Sequence, residues 1–229
     1  MVFSIIMTIS VAFVMLDTFV IPRAITTITR AAAIKSAAET TATTPAETIS
    51  GDASSNSTTS TGTASQITST SYQDDNIQIT IETVRQYDTN IYVADIQVAN
   101  IEYLKTAFAQ GTYGRNIKEA TSGIAADNNA IFAINGDYYG FRNSGFVLRH
   151  GVLYRSTGSD EGLAIDSSGN FSIIDESQTD AQSLTDANVW QVLSFGPSLI
   201  NGGQITVTAN SEVGQSMTSN PRTAIGQVS

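Results

Sequence analysis

What this chain lacks narrows its chemistry first. It has no cysteine, which excludes disulfides, thiolate metal ligands and a cysteine nucleophile. Its one histidine, His150, cannot build a histidine-clustered zinc site. Only a carboxylate-based calcium or magnesium site stays open, and no metal or other cofactor is expected. Lysine and arginine number 11 against 21 aspartate and glutamate, a formal net charge of -10. With so few cations and no basic stripe, nucleic acid is not the expected partner, because neutralising phosphates takes clustered Lys and Arg. Also missing are the Gly-x-Ser-x-Gly nucleophile elbow, the glycine loops of nucleotide-binding folds and any internal repeat.

What is present divides the 229 residues into three regions. Val2 to Ile21 is almost wholly apolar and has about the length needed to cross a bilayer. No small-residue cleavage site follows it, so residues 1–22 are expected to be an uncleaved transmembrane signal anchor. The nearby cations Arg23, Arg30 and Lys35 all come after the span, and charge bias would then hold that side in the cytoplasm. A natural start further upstream, carrying positive charge, would reverse that orientation. Residues 23–74 are rich in Ser, Thr and Ala and bury too little to fold, so they read as a disordered tether. Residues 75–229 carry the folding pattern.

Within that region Ile77, Ile79 and Ile81 alternate with polar residues, and Tyr87 to Asn90 is turn-like before a second strand over 91–98. Leu104 and Phe108, four apart, predict a helix over 101–109, and a second helix is expected over 117–128. The apolar run from Ala130 to Ile134 predicts a buried strand that stops at Asn135-Gly136-Asp137, a sequence suited to a sharp turn. Tyr138, Tyr139, Phe141, Arg142 and Asn143 crowd the loop beyond it. Residues 146–149 and 152–155 flank His150-Gly151 and read as a hairpin, as do 162–165 and 171–174 around Asp166 to Asn170. A short helix is expected over 179–188, a strand over 192–195 ending at Gly196-Pro197, a turn at Asn201-Gly202-Gly203, and a strand from Pro221 to Gly226. Together these predict an α+β fold: a mixed, mostly antiparallel sheet with a few helices, behind an anchor and a tether.

From the residues alone, the loop after Ile134 is either a binding loop on a rigid scaffold or a tight turn packed with aromatics. Arg222 is either a phosphate clamp or a surface arginine on a strand. Asp137 is either a working carboxylate or a turn residue, and Tyr138 either faces a ligand or packs beneath the hairpin. His150 reads as an exposed turn residue, and Asp160 and Glu161 as solvated charges.

Four stretches in order resemble the phosphodiester glycosidase family, which includes the lysosomal uncovering enzyme and bacterial exopolysaccharide-associated proteins. They are AINGDYY from Ala133, the hairpin bearing HGVLYR, FGPSLI from Phe195 with Gly202-Gly203, and NPRTAIG from Asn220. The resemblance implies hydrolysis of a sugar-1-phosphodiester to a free sugar and a phosphate monoester. It implies Asp137 and Arg222 as the catalytic pair, the carboxylate near the sugar and the guanidinium on the phosphate. Asn135, Gly136, Tyr138, Arg142, Asn143, Gly196 and Thr223 are then expected around the substrate. Gly136 and Gly196 would permit close backbone approach. The partners implied are a carbohydrate phosphodiester and, through the N-terminal helix, a membrane, with the folded domain extracellular. The family's later glycine-rich motif does not occur before Ser229, so a C-terminally incomplete domain is expected. Two other outcomes fit the same residues: a non-catalytic glycan-binding or exopolysaccharide-assembly module, and an inactive fragment.

Overall fold

A computed structural model describes residues 65–208 and 220–228, with Met7, Ser10, Val11, Phe13, residues 22–24 and Ser211. Among the described residues no helix is long and apolar enough to cross a membrane. The anchor expected over 1–22 and the tether as far as residue 64 lie almost entirely outside the described residues. The structure is α+β: all pairings among the described strands are antiparallel, and the α-helices are short. It divides into two compact units, one formed by the described residues of Met1–Ile34 and Lys105–Ser229, the other by those of Lys35–Leu104.

The second unit is a four-stranded sheet in the order β2 (Gln66–Ile67), β3 (Ser71–Gln73), β4 (Ile77–Gln86), β5 (Thr89–Val98). Its first two strands fall within the stretch expected to be tether. The alternation of Ile77, Ile79 and Ile81 sets its register, since they face Val98, Ile96 and Ala94 across the ladder. Tyr87 and Asp88 both take positive φ in the hairpin turn. No helix follows. Asn100 accepts a hydrogen bond from Glu102 N at 2.9 Å and caps a single 3-10 turn, Ile101–Tyr103. Phe108 is extended instead of helical. Its ring packs against Tyr113, Tyr139 and Tyr154 at centroid distances of 5.6, 5.3 and 4.9 Å, contacts that outweigh a weak local helical preference.

The first unit is built on a five-stranded sheet. Its strands are β7 (Val147–Arg149), β8 (Val152–Arg155), β9 (Glu161–Asp166), β10 (Phe171–Asp175) and β11 (Val189–Leu193), in the order β10-β9-β11-β7-β8. Phe146, Leu148, Leu153, Ala164, Val189 and Val192 form the core with Leu184. Leu184 comes from helix α2 (Ala181–Asp186), where Asp180 caps the N-terminus by accepting from Ser183 N at 2.8 Å. The expected hairpin at His150-Gly151 is present, both residues with positive φ. Near it, β6 (Gly114–Arg115) pairs with β1 (Arg23–Ala24). At Asn201-Gly202-Gly203 two short strands, β12 (Ile200–Asn201) and β13 (Gln204–Ile205), flank the expected turn.

Three further expected elements differ. The helix predicted over 117–128 shrinks to α1 (Thr121–Asp127), because Glu119 turns away to accept from Gln110 N at 2.6 Å and Ala120 provides no side-chain cap. The run Ala130 to Ile134 is not a strand, and Ile131 and Ile134 are each 46% exposed. Apolar, β-branched composition needs a neighbouring ladder to become sheet, and among the described residues no strand pairs with this run. Residues 220–228 likewise form no strand. Side chains hold them instead: Gln227 accepts from Phe171 N and donates to Gly169 O, both at 2.9 Å.

Candidate functional site

The turn after Ile134 is anchored from below by a buried ion pair. Arg149 Nη2 lies 2.7 Å from Asp137 Oδ1, and their side chains are 5% and 2% exposed. Asp137 Oδ2 accepts from Ser194 N at 2.9 Å, so both carboxylate oxygens are engaged. Arg149 Nη1 donates to the carbonyls of Leu148 and Val192, tying β7 to β11. Both Asp137 oxygens and both terminal nitrogens of Arg149 are thus hydrogen-bonded, which meets much of the condition under which buried charges are tolerated. The cation that meets Asp137 is Arg149, which sequence reasoning did not single out. A signal existed: an arginine that closes the apolar run Phe146-Val147-Leu148 at the end of a core strand must find a buried partner.

Ser194 links this pair to a second carboxylate. Its Oγ donates to Glu176 Oε2 at 3.1 Å, which also accepts from Phe146 N and Ser159 N at 3.0 Å each. Glu176 is 1% exposed, and its Oε1 has no hydrogen-bond partner. The space around it exists because positions 158 and 162 are glycine: a Cβ at Gly162 would lie 2.5 Å from Oε1. Glu161 was expected to be solvated, yet it accepts from Ser198 N at 2.8 Å and shapes the loop after Phe195. Among the described residues no three carboxylate or imidazole groups gather closely enough to hold a metal ion.

The other expected residues sort as follows. Asn135 Oδ1 accepts from Thr223 Oγ1 at 2.7 Å, which brings the NPRTAIG stretch onto the turn. Arg222, one residue away, is exposed. Tyr138 is 60% exposed, with the Arg142 guanidinium 5.5 Å from its ring centroid. Arg142 and Asn143 line a cleft together with Tyr139 and Arg155. A Cβ at Gly136 would meet open space, so the close backbone approach expected there is not built. At Gly196 a Cβ would lie 3.1 Å from Glu161 Oε2. His150 is half-buried and accepts from Thr106 N at 3.3 Å; burial first, then the Arg149 and Lys105 charges, hold its imidazole below the usual histidine range. Burial likewise raises the Tyr139 phenol, which stays protonated at neutral pH.

With this geometry in place, comparison with known proteins shows a likeness over the C-terminal part of the chain. A family model described as phosphodiester glycosidase matches residues 128–229, the stretch that holds the turn, the hairpin, the Phe195 loop and NPRTAIG. The family matched is the family resembled. No curated protein and no solved structure matches the chain.

Proposed function

We propose that this chain is a hydrolase that cleaves a sugar-1-phosphodiester by attack of water at the anomeric carbon. The C–O bond to phosphate breaks, releasing the free sugar and a phosphate monoester. The observation that carries the reading is the Thr223–Asn135 hydrogen bond, which ties the two most distinctive family stretches together and sets Arg222 beside the turn bearing Asp137. A guanidinium matches phosphate oxygens bidentately, and Thr223 supplies a neighbouring hydroxyl. The Asp137 carboxylate provides negative charge on the side where the sugar becomes oxocarbenium-like. Exposed Tyr138 offers an apolar face for the ring. The apolar span over residues 2–21 and the tether behind it support a membrane-anchored protein acting on envelope or exopolysaccharide sugar phosphates outside the cell.

One observation favours a second reading. Both oxygens of Asp137 are already occupied, which suits a residue that positions the turn of a glycan-binding module. Sugar release from a panel of sugar-1-phosphodiesters decides. Turnover by the wild-type chain, lost by about a hundredfold or more in Arg222→Ala and in Asp137→Asn, supports hydrolysis at this site. Retained turnover in both variants removes the assignment. Glycan binding with no turnover by the wild type favours the binding module.

A further inference from the structure

Three arginines, none of them in an ion pair with a carboxylate among the described residues, converge on one cleft. It has a volume of about 230 Å³ and is lined by Arg115, Arg142 and Arg155 with Tyr113, Tyr139 and Asn143. Among the described residues the ion pairs are Arg85–Asp88 and Arg149–Asp137, and neither involves a cleft arginine. The chain carries only 11 cationic residues against 21 acidic ones, so an excess of carboxylates was available as partners. No acidic side chain lines the cleft.

The three guanidiniums are held differently. Arg155 is fixed: Nε donates to Gly145 O at 2.6 Å, and Nη1 donates to Tyr139 O at 2.9 Å and Arg142 O at 2.7 Å. Burial lowers its pKa, yet an arginine stays charged at neutral pH. It therefore brings a half-buried positive charge bonded to carbonyls and drawn on by the Asp137 and Glu176 carboxylates, with three of its five N–H groups spent and those of Nη2 left over. Arg115 projects from β6, and Arg142 sits at the end of the 139–141 turn against the Tyr138 ring. Tyr113 and Tyr139 stack with centroids 5.6 Å apart and give the cleft a rigid wall.

Arginines without an ion-pair partner, gathered on one cleft, select an oxyanion. Of the oxyanions, a phosphate ester suits it best. A carboxylate has only two oxygens to share among three forks, whereas a phosphate monoester presents three terminal oxygens and up to two negative charges. The volume lies below the roughly 300–1,000 Å³ of sites for drug-sized ligands, which suits a phosphate with one sugar ring. We infer that the cleft between β6 and the 139–143 turn is a phosphate-ester site, with Arg115, Arg142 and Arg155 as its donors. The site does not require the hydrolytic reading. Under that reading it shares the phosphate half of the substrate with Arg222, and it retains the monoester product.

Calorimetric titration of the full chain with glucose-1-phosphate and with inorganic phosphate tests this, using circular dichroism to show that each variant remains folded. The expected result is binding that weakens with added salt and falls at least about tenfold in Arg115→Ala and in Arg142→Ala. No saturable binding at millimolar ester by the folded wild type overturns the inference. So does binding lost in Arg222→Ala but intact in the two cleft variants, which would move the anion site to residues 220–228. Arginine-dependent binding by a wild type that releases no sugar supports the cleft and counts against hydrolysis. Hydrolysis with an unchanged KM in both cleft variants supports hydrolysis and overturns the cleft.

Discussion

Arg149 and Asp137 show what single residues must supply here. Each is a buried charge satisfied by the other and by backbone groups, so losing one strands the other. Arg149→Ala should cost about 3–5 kcal/mol, read from the urea unfolding midpoint at neutral pH. The paired apolar replacement Arg149→Met with Asp137→Leu should restore much of that loss, because no charge is then left unpaired. Glycines matter at two positions nearby. Gly145 has φ of 95°, and a Cβ there would collide with the Ser194 side chain; at Gly158 a Cβ would collide with the Glu176 carbonyl. Gly145→Ala and Gly158→Ala should each lower the midpoint by on the order of 1–3 kcal/mol in stability, while Gly136→Ala, facing open space, should be near neutral. Only tertiary structure separates these three glycines, since each sits in an equally polar, turn-rich stretch of sequence.

At the scale of elements, hairpins were legible and isolated runs were not. Residues 77–98, 147–155 and 161–175 pair with their own sequence neighbours, so alternation and turn residues suffice to place them. The stretches 130–134 and 220–228 need distant partners, and neither is in a ladder. Helix 101–109 failed because Phe108 is worth more in the aromatic cluster than in a lone helical turn. The His150 hairpin carries a pH dependence. Its imidazole has a depressed pKa, so between the ordinary histidine value and the lowered one the unfolded chain binds more protons than the folded chain. Stability from this group is therefore present above about pH 6.5 and is lost as pH falls towards the folded value. Urea midpoints at pH 7.5 and 5.5 should differ less in His150→Asn, which tolerates the same positive φ. On α2, Asp180→Ala should cost about 1 kcal/mol through loss of the cap to Ser183 N.

At the scale of the whole molecule, the family match begins at residue 128, but the compact unit that contains it also takes in residues from Lys105. Phe108 and Tyr113 complete the aromatic cluster around Tyr139 and Tyr154, and Arg115 completes the cleft. A chain starting at Lys105 should unfold in one cooperative urea transition, whereas one starting at Asn128 should give a broad transition or none. Cooperative unfolding of the shorter chain would show that the aromatic cluster is dispensable. The amino-acid sequence by itself determined the α+β class, the local hairpins, the absence of thiol chemistry and the likeness of residues 128–229 to the phosphodiester glycosidases, because these follow from composition, short-range alternation and contiguous motifs. Tertiary structure alone decided that Asp137 meets Arg149, that Ser194 links it to Glu176, and that Arg115, Arg142 and Arg155 share one cleft. Those groups are separated by up to 57 residues along the chain, and burial and charge balance act on neighbours in space, whatever their order in sequence.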